Sequence, residues 1–274
     1  MAFLHARIHL LFLAGLILLA PAPAAFGEEW ENSVGPMVRG SFPDMRPLRV
    51  QYAFGWNGFT AATAEIRLTK ATDDQLQIEA AGHTVGLAKT LWNFEAKHLG
   101  LVDARTLHPI QVRETETVRA KKWTSELNYS SDGVISQRAE QRGESTKSKT
   151  REFHFPNIQS LDSALLYLRS KPLENGAVER SVVYPSTAGY LTTMIVLGRE
   201  KITVASGSYD AIKLDVQLNK IGKKRELLPH KKFKKATVWL SDDPNRLVLR
   251  IEAQIFIGAV FAELQSMQLE NGKP

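Results

Sequence analysis

Along most of this chain apolar and polar side chains alternate with a period of two, and that pattern leaves few choices of fold. In the stretch 48–54, Leu48, Val50, Tyr52 and Phe54 fall to one side and Arg49, Gln51 and Ala53 to the other, as successive residues of a strand must. The same alternation returns in Leu76, Ile78 and Ala80, in Trp123 to Tyr129, in Ile212 to Asn219, and in Arg246 to Ile255. One wet face and one dry face is the mark of antiparallel pairing, because a parallel sheet covered by helices on both sides reads as continuous apolar runs. About a dozen such strands are expected, enough for a long meander curled around its own core. The fold class is mainly β: a curved antiparallel sheet, or half-open β-barrel meander, with one short α-helix.

Local signals punctuate the strands. Asn57-Gly58 supplies the two positive-φ positions of a type I′ turn, so a hairpin is expected between the strand ending there and one running from Phe59 towards Leu68. Leu161, Ala164, Leu165 and Leu168 fall at helical spacing, with Ser160 as cap, Asp162 in the first turn, Arg169 and Lys171 at the end, and Pro172 as a stop. This predicts a helix of roughly three turns that covers the open sheet with that leucine face. A shorter helical turn is expected around Leu87 to Leu91, and Gly143 to Thr150 reads as a hairpin tip.

The first 27 residues follow another logic. Arg7 precedes the apolar run Leu10 to Ala20, and small residues follow up to Glu28, which is the order of a secretory signal peptide with cleavage expected before Glu28. No cysteine stands beside the cleavage site to take a lipid, and no later segment approaches the ~20 apolar residues of a spanning helix. The expected organisation is therefore a signal peptide at 1–27, an irregular lead-in at 28–47 and a single β-rich domain at 48–270. The expected location is the periplasm, with no transmembrane span after cleavage. Export also removes nucleic acid as the natural partner of a chain of net charge +6, leaving lipids, envelope polymers or envelope proteins. With no cysteine anywhere, stability has to come from buried area and sheet hydrogen bonds.

Chemistry-bearing motifs are sparse. His83, His98, His108, His154 and His230 are scattered without metal-ligand spacing, so neither a metal nor a cofactor is expected. Nucleophile elbows, phosphate loops and dinucleotide fingerprints are absent. Two groupings stand out. Arg169, Asp242, Asp243 and Arg246, with Arg250, are placed to form a polar cluster at the mouth of the barrel, either ligand-binding or structural. The run from Lys220 to Lys235, and within it Lys231, Lys232, Lys234 and Lys235, is either a solvated hairpin loop or a contact for an anionic surface.

Tyr52-Ala53-Phe54-Gly55-Trp56, the phrase Asp103 to Pro109, the helix Asp162 to Arg169, and Trp239-Leu240-Ser241-Asp242-Asp243 with Arg246 and Gly258 together resemble the exported bacterial family catalogued as domain of unknown function 3108. The resemblance runs from about Leu48 to Leu269. It implies a periplasmic β-rich protein and carries no catalytic residues; the curved half-barrel of the Lol-system lipoprotein carriers is a fold-level analogy only. Three functions are left open. The first is a non-enzymatic protein that binds a hydrophobic or amphipathic envelope molecule. The second is a scaffold or assembly factor that binds another envelope protein. The third is an unrecognised hydrolase of envelope polymer using Ser241, Asp242 or a histidine. An apolar pocket favours the first, a filled core the second, and a cleft joining histidine to carboxylates the third.

Overall fold

The computed structural model describes residues 30–43, 46–229, 235–255 and 258–270, so the expected leader lies outside the described residues. After a single 3-10 turn at Trp30–Ser33 the strands are β1 (Leu48–Trp56), β2 (Phe59–Thr72), β3 (Gln75–Thr84), β4 (Phe94–Asp103), β5 (Pro109–Val118), β6 (Lys121–Ser130), β7 (Gly133–Arg142) and β8 (Ser145–His154). They continue as β9 (Val178–Val183), β10 (Tyr190–Val204), β11 (Gly207–Ile221), β12 (Leu227–Pro229), β13 (Ala236–Ser241), β14 (Val248–Gln254) and β15 (Ala259–Leu269). Helix α1 (Gly86–Leu91) links β3 to β4, and α2 (Leu161–Ser170) links β8 to β9. The fifteen strands exceed the dozen expected because long runs such as 190–221 hold two strands joined by a tight turn.

All fifteen belong to one sheet in the order β8-β7-β6-β5-β4-β3-β2-β1-β15-β14-β13-β11-β10-β9, with β12 on β11. The last strand pairs with the first, Leu48 opposite Leu269, which joins two meanders into one surface. The Asn57-Gly58 turn forms as expected, both residues at positive φ of 47° and 83°. The tip near 143 is shorter than expected: Gly143 and Glu144 make the turn, and Ser145 to Thr150 already belong to β8. Breaks in register at Gln51/Tyr52, Phe54/Gly55, Leu101/Val102 and Val196/Gly198 each insert extra length on one strand, and such bulges curl the sheet.

The curled sheet is not closed into a barrel, since β8 and β9 remain its two edges. The chain crossing between them stitches the gap. Phe155 and Asn157 donate to the carbonyls of Asp132 and Ser131 (2.9 and 3.3 Å), Gln159 donates to Val182 (2.8 Å), and Tyr184 donates back to Gln159 (2.9 Å). Under this crossing lies a small core of Val112, Leu127, Val134, Phe155, Ile158, Val182, Tyr184 and Ile221, which Trp30 covers by stacking on Phe155 at 5.6 Å.

The larger core fills the concave face of β1–β4, β10, β11 and β13–β15, and α2 is its plug. Ser160 caps α2 as expected: its hydroxyl accepts from the Ser163 amide, and the Ser163 hydroxyl accepts from the Ser160 amide. The buried face differs from the expected leucine stripe. Leu166, Tyr167 and Leu168 are buried with Ser163, Arg169 and Ser170, whereas Leu161 is 39% exposed and Leu165 only partly covered. The helix is rotated because its C-terminal Arg169 and Ser170 face the sheet mouth, where polar partners are available. Leu166, Tyr167 and Leu168 of the helix pack into the larger core.

Candidate functional site

The turns β2–β3, β4–β5 and β13–β14 gather at one end of the sheet, and the C-terminus of α2 and the lead-in meet them there. The lead-in is strapped to α2: Gly40 N donates to the Ser170 hydroxyl (2.9 Å) and Phe42 N to the Ser170 carbonyl (3.1 Å). The approach is so close that a Cβ on Gly40 would run into that carbonyl. Between these parts lies a cavity of about 170 Å³ with Phe42, Leu76, Leu107 and Leu166 among its walls. Five cationic side chains, Arg39, Lys70, Arg105, Arg169 and Arg246, line it against one described carboxylate, Asp73.

Two of the five are deeply buried, Arg169 at 7% and Arg246 at 4% exposure. Arg169 donates to the Asn245 carbonyl and Arg246 to the carbonyls of Lys171 and Pro172 (3.2 Å each), with its guanidinium 3.8 Å above the Phe42 ring. Neither is in an ion pair with a described carboxylate, and the Nε of each has no hydrogen-bond partner. Burial pulls the pKa of Arg169 down to about 10, opposed by Tyr52 and Asp243 and aided by the like charge of Arg246. Burial also lowers Arg246, opposed by Asp242 and Asp243 and aided by the like charge of Arg199. The two guanidinium groups sit near each other with Asp243 in electrostatic reach of both, a polar cluster in the cavity wall.

Asp242 and Asp243, expected to join these arginines, do something else. Asp243 Oδ1 accepts from the Asn245 and Arg246 amides (2.7 and 3.2 Å) and from the Ser241 hydroxyl (3.0 Å), so it shapes the turn. Asp242 pairs with Arg199 at 3.1 Å, and Arg250 with Glu252 at 2.9 Å. The expected four residues therefore stay within electrostatic reach of one another without forming ion pairs, the arginines lining the cavity and the aspartates shaping the turn. A short aspartate at a strand end reaches its own backbone more readily than a partner across the mouth. Ser241 is buried, donating to Asp243 and accepting from the Leu247 amide at 2.8 Å, so it helps hold the turn. Lys231, Lys232 and Lys234 lie outside the described residues; Lys235 pairs with Asp215 at 3.3 Å.

A second polar cluster was not anticipated. On β4 the His98 ring lies between Asp162 of α2 (Nε2 to Oδ2, 2.9 Å) and Glu114 of β5 (Nδ1 to Oε1, 3.3 Å). Gly100 makes room for it, because a Cβ there would stand where the Asp162 carboxylate sits. Burial disfavours the charged ring, but the charges and hydrogen bonds of Asp162 and Glu114 outweigh this and hold its pKa near 10. A ring protonated throughout the neutral range has no lone pair with which to act as a base. One layer along, Arg138 pairs with Glu116 at 3.2 Å, both nearly buried. A signal existed in the sequence: His98, Glu114, Glu116 and Arg138 occupy the parity that Val102, Val112 and Val134 mark as inward. Among the described residues no group of His, Asp and Glu could hold a metal ion, and no helix is long and apolar enough to cross a membrane.

Of solved structures, this chain is similar to a β-barrel-like protein of domain of unknown function DUF1849 from Brucella abortus, at 8% identity and a TM-score of 0.57 over 84% of this chain and 100% of that one. A Bacteroides fragilis protein with a YmcC-like fold gives 8% identity and a TM-score of 0.36 over 84% of this chain and 99% of the other. The first likeness supports the β-barrel-like fold alone. No curated protein matches. A family model, however, matches residues 50–265, the span that holds the sheet, α2 and most of the arginine cavity, and the chain therefore belongs to the protein family of unknown function DUF3108.

Proposed function

We propose that this protein is a non-enzymatic, exported binding protein that holds the anionic head of a small or amphipathic envelope molecule in the Arg169–Arg246 cavity. The observation that carries the reading is the pair of buried guanidinium groups with unpartnered Nε atoms and no ion-paired carboxylate beside a space of about 170 Å³. Phosphate, sulfate or carboxylate would supply the acceptors that two planar forks of donors lack. The space falls short of the ~300 Å³ at which pockets for whole drug-sized ligands begin, so it suits a headgroup or a free anion rather than a complete lipid. The side chains of α2 pack into the core beside the cavity, so the reading concerns the polar end of such a molecule. Of the residues expected to bind, Arg169 and Arg246 are retained and Asp242 and Asp243 are not. The periplasmic location rests on the leader at 1–27.

The filled core also favours a second reading, an assembly factor that holds another envelope protein. A single experiment separates the two. Thermal unfolding is followed against inorganic phosphate and glycerol 3-phosphate, with chloride keeping ionic strength constant. The melting temperature of wild type should climb with either phosphate, by about 2.7 kcal/mol of stabilisation at a hundredfold excess over Kd. Arg169→Met should retain the fold and lose the response, because the methionine fills the volume without the donors. Equal effects of phosphate and chloride on wild type would remove the anion site and leave the assembly reading.

A further inference from the structure

The opposite end of the sheet is built differently. There the β1–β2 turn, α1, the β5–β6 turn and the start of β15 stand side by side, as the antiparallel order requires. Hydrogen bonds stitch them into one rim. Val85 N donates to the Ala61 carbonyl (2.9 Å), Arg119 N to Asn93 (3.1 Å), the Arg119 guanidinium to the Leu91 carbonyl (2.7 Å), and Asn57 N to Ala259 (2.9 Å). Large apolar side chains stand out from this rim. Leu87 is 84% exposed, Phe59 75% and Leu91 70%, with Trp56 beside them. Leu87 and Leu91 are four residues apart on α1 and so share a face, and α1 buries none of its residues.

Single exposed apolar residues need no explanation, but several on adjacent turns do. The accompanying charge indicates what covers them. The segments 56–60, 85–93 and 118–122 contain Lys89, Arg119, Lys121 and Lys122 and no acidic residue. Lys121 reaches Glu140 at 3.8 Å, while Lys89, Arg119 and Lys122 are exposed. Apolar tips interspersed with cations are the chemistry of a surface that enters an anionic bilayer interface, with rings and leucines among the acyl chains and cations level with the phosphates. A nucleic acid would answer the charge and leave Phe59, Leu87 and Leu91 in water.

We propose that this rim docks the protein on the surface of an anionic lipid bilayer, with Phe59, Leu87 and Leu91 inserted and Lys89, Arg119 and Lys122 against the lipid phosphates. The arginine cavity then faces away from that surface, since it lies at the other end of the same strands. The rim and the cavity are separate sites, and either can stand without the other.

The test is co-sedimentation of the full chain with vesicles of phosphatidylglycerol and phosphatidylethanolamine, against vesicles of phosphatidylcholine, at low and high salt. Wild type should bind the anionic vesicles, release in salt, and bind phosphatidylcholine at least about tenfold more weakly. The triple variant Phe59→Ser, Leu87→Ser, Leu91→Ser should lose roughly tenfold or more in binding, and so should Lys89→Gln, Arg119→Gln, Lys122→Gln at low salt. Melting temperatures near wild type show that the fold is intact; should a triple variant melt early, Phe59→Ser alone is measured and should still bind more weakly. Wild type left in the supernatant, binding to phosphatidylcholine as tight as to phosphatidylglycerol, or folded variants that bind like wild type would each overturn the proposal.

Discussion

Arg138 and Glu116 lie inside the curl of the sheet with Ser125 and Ser186 within reach of the guanidinium, and their value to the fold depends on both being present. Removing one leaves a buried charge without its partner, so Arg138→Met is expected to cost about 3–5 kcal/mol, while Arg138→Met with Glu116→Leu should recover most of that. Urea denaturation of the two variants measures it, and a double variant as unstable as the single one would show that packing, not charge, sets the loss. His98 behaves differently because its proton can leave. Its pKa rises from 6.5 to about 10 in the folded protein, so its stabilising contribution is complete below pH 6.5 and fades as pH climbs towards 10. The stability gap between wild type and His98→Gln, a few kcal/mol at most, should therefore narrow across that window. A gap constant with pH would mean that the imidazolium is not what Asp162 and Glu114 hold.

At the scale of elements, α2 decides how the interior is filled. Leu166 is buried and Leu161 is 39% exposed on the same helix. Leu166→Asp should cost several kcal/mol by burying an unpaired carboxylate, about 3 or more, whereas Leu161→Asp should stay within ~0.5 kcal/mol. Melting temperatures of the two variants check the rotation of the helix directly. The reversed order would restore the leucine stripe that helical spacing alone suggests. That stripe holds in part, with Leu168 buried and Leu165 packed on the core, because spacing reports which residues share a face, while the choice among neighbouring faces depends on what the sheet presents. Here it presents a polar mouth that takes Arg169 and Ser170, and the helix turns to meet it.

At the scale of the molecule, the lead-in is part of the structure even though its sequence looks unstructured, because Arg39 and Phe42 complete the cavity wall. If the leader is removed as its order suggests, N-terminal sequencing of protein from the periplasm should read from Glu28, two residues before the Trp30 turn. Intact Met1 in a membrane fraction would contradict it. The strands, the Asn57-Gly58 turn and the Ser160 cap were legible in the sequence because each follows from backbone period or a local φ preference, which a few adjacent residues determine. The inward parity of His98, Glu114, Glu116 and Arg138 was equally legible, and only their partners were hidden. What the tertiary structure alone decided was pairing at long range: β15 closing on β1, the curl left open between β8 and β9, and five cations from the lead-in, β2, α2 and two turns brought to one cavity. Those outcomes depend on the summed bend of many strands and on the balance of buried charge across them, and no local stretch of sequence contains either quantity.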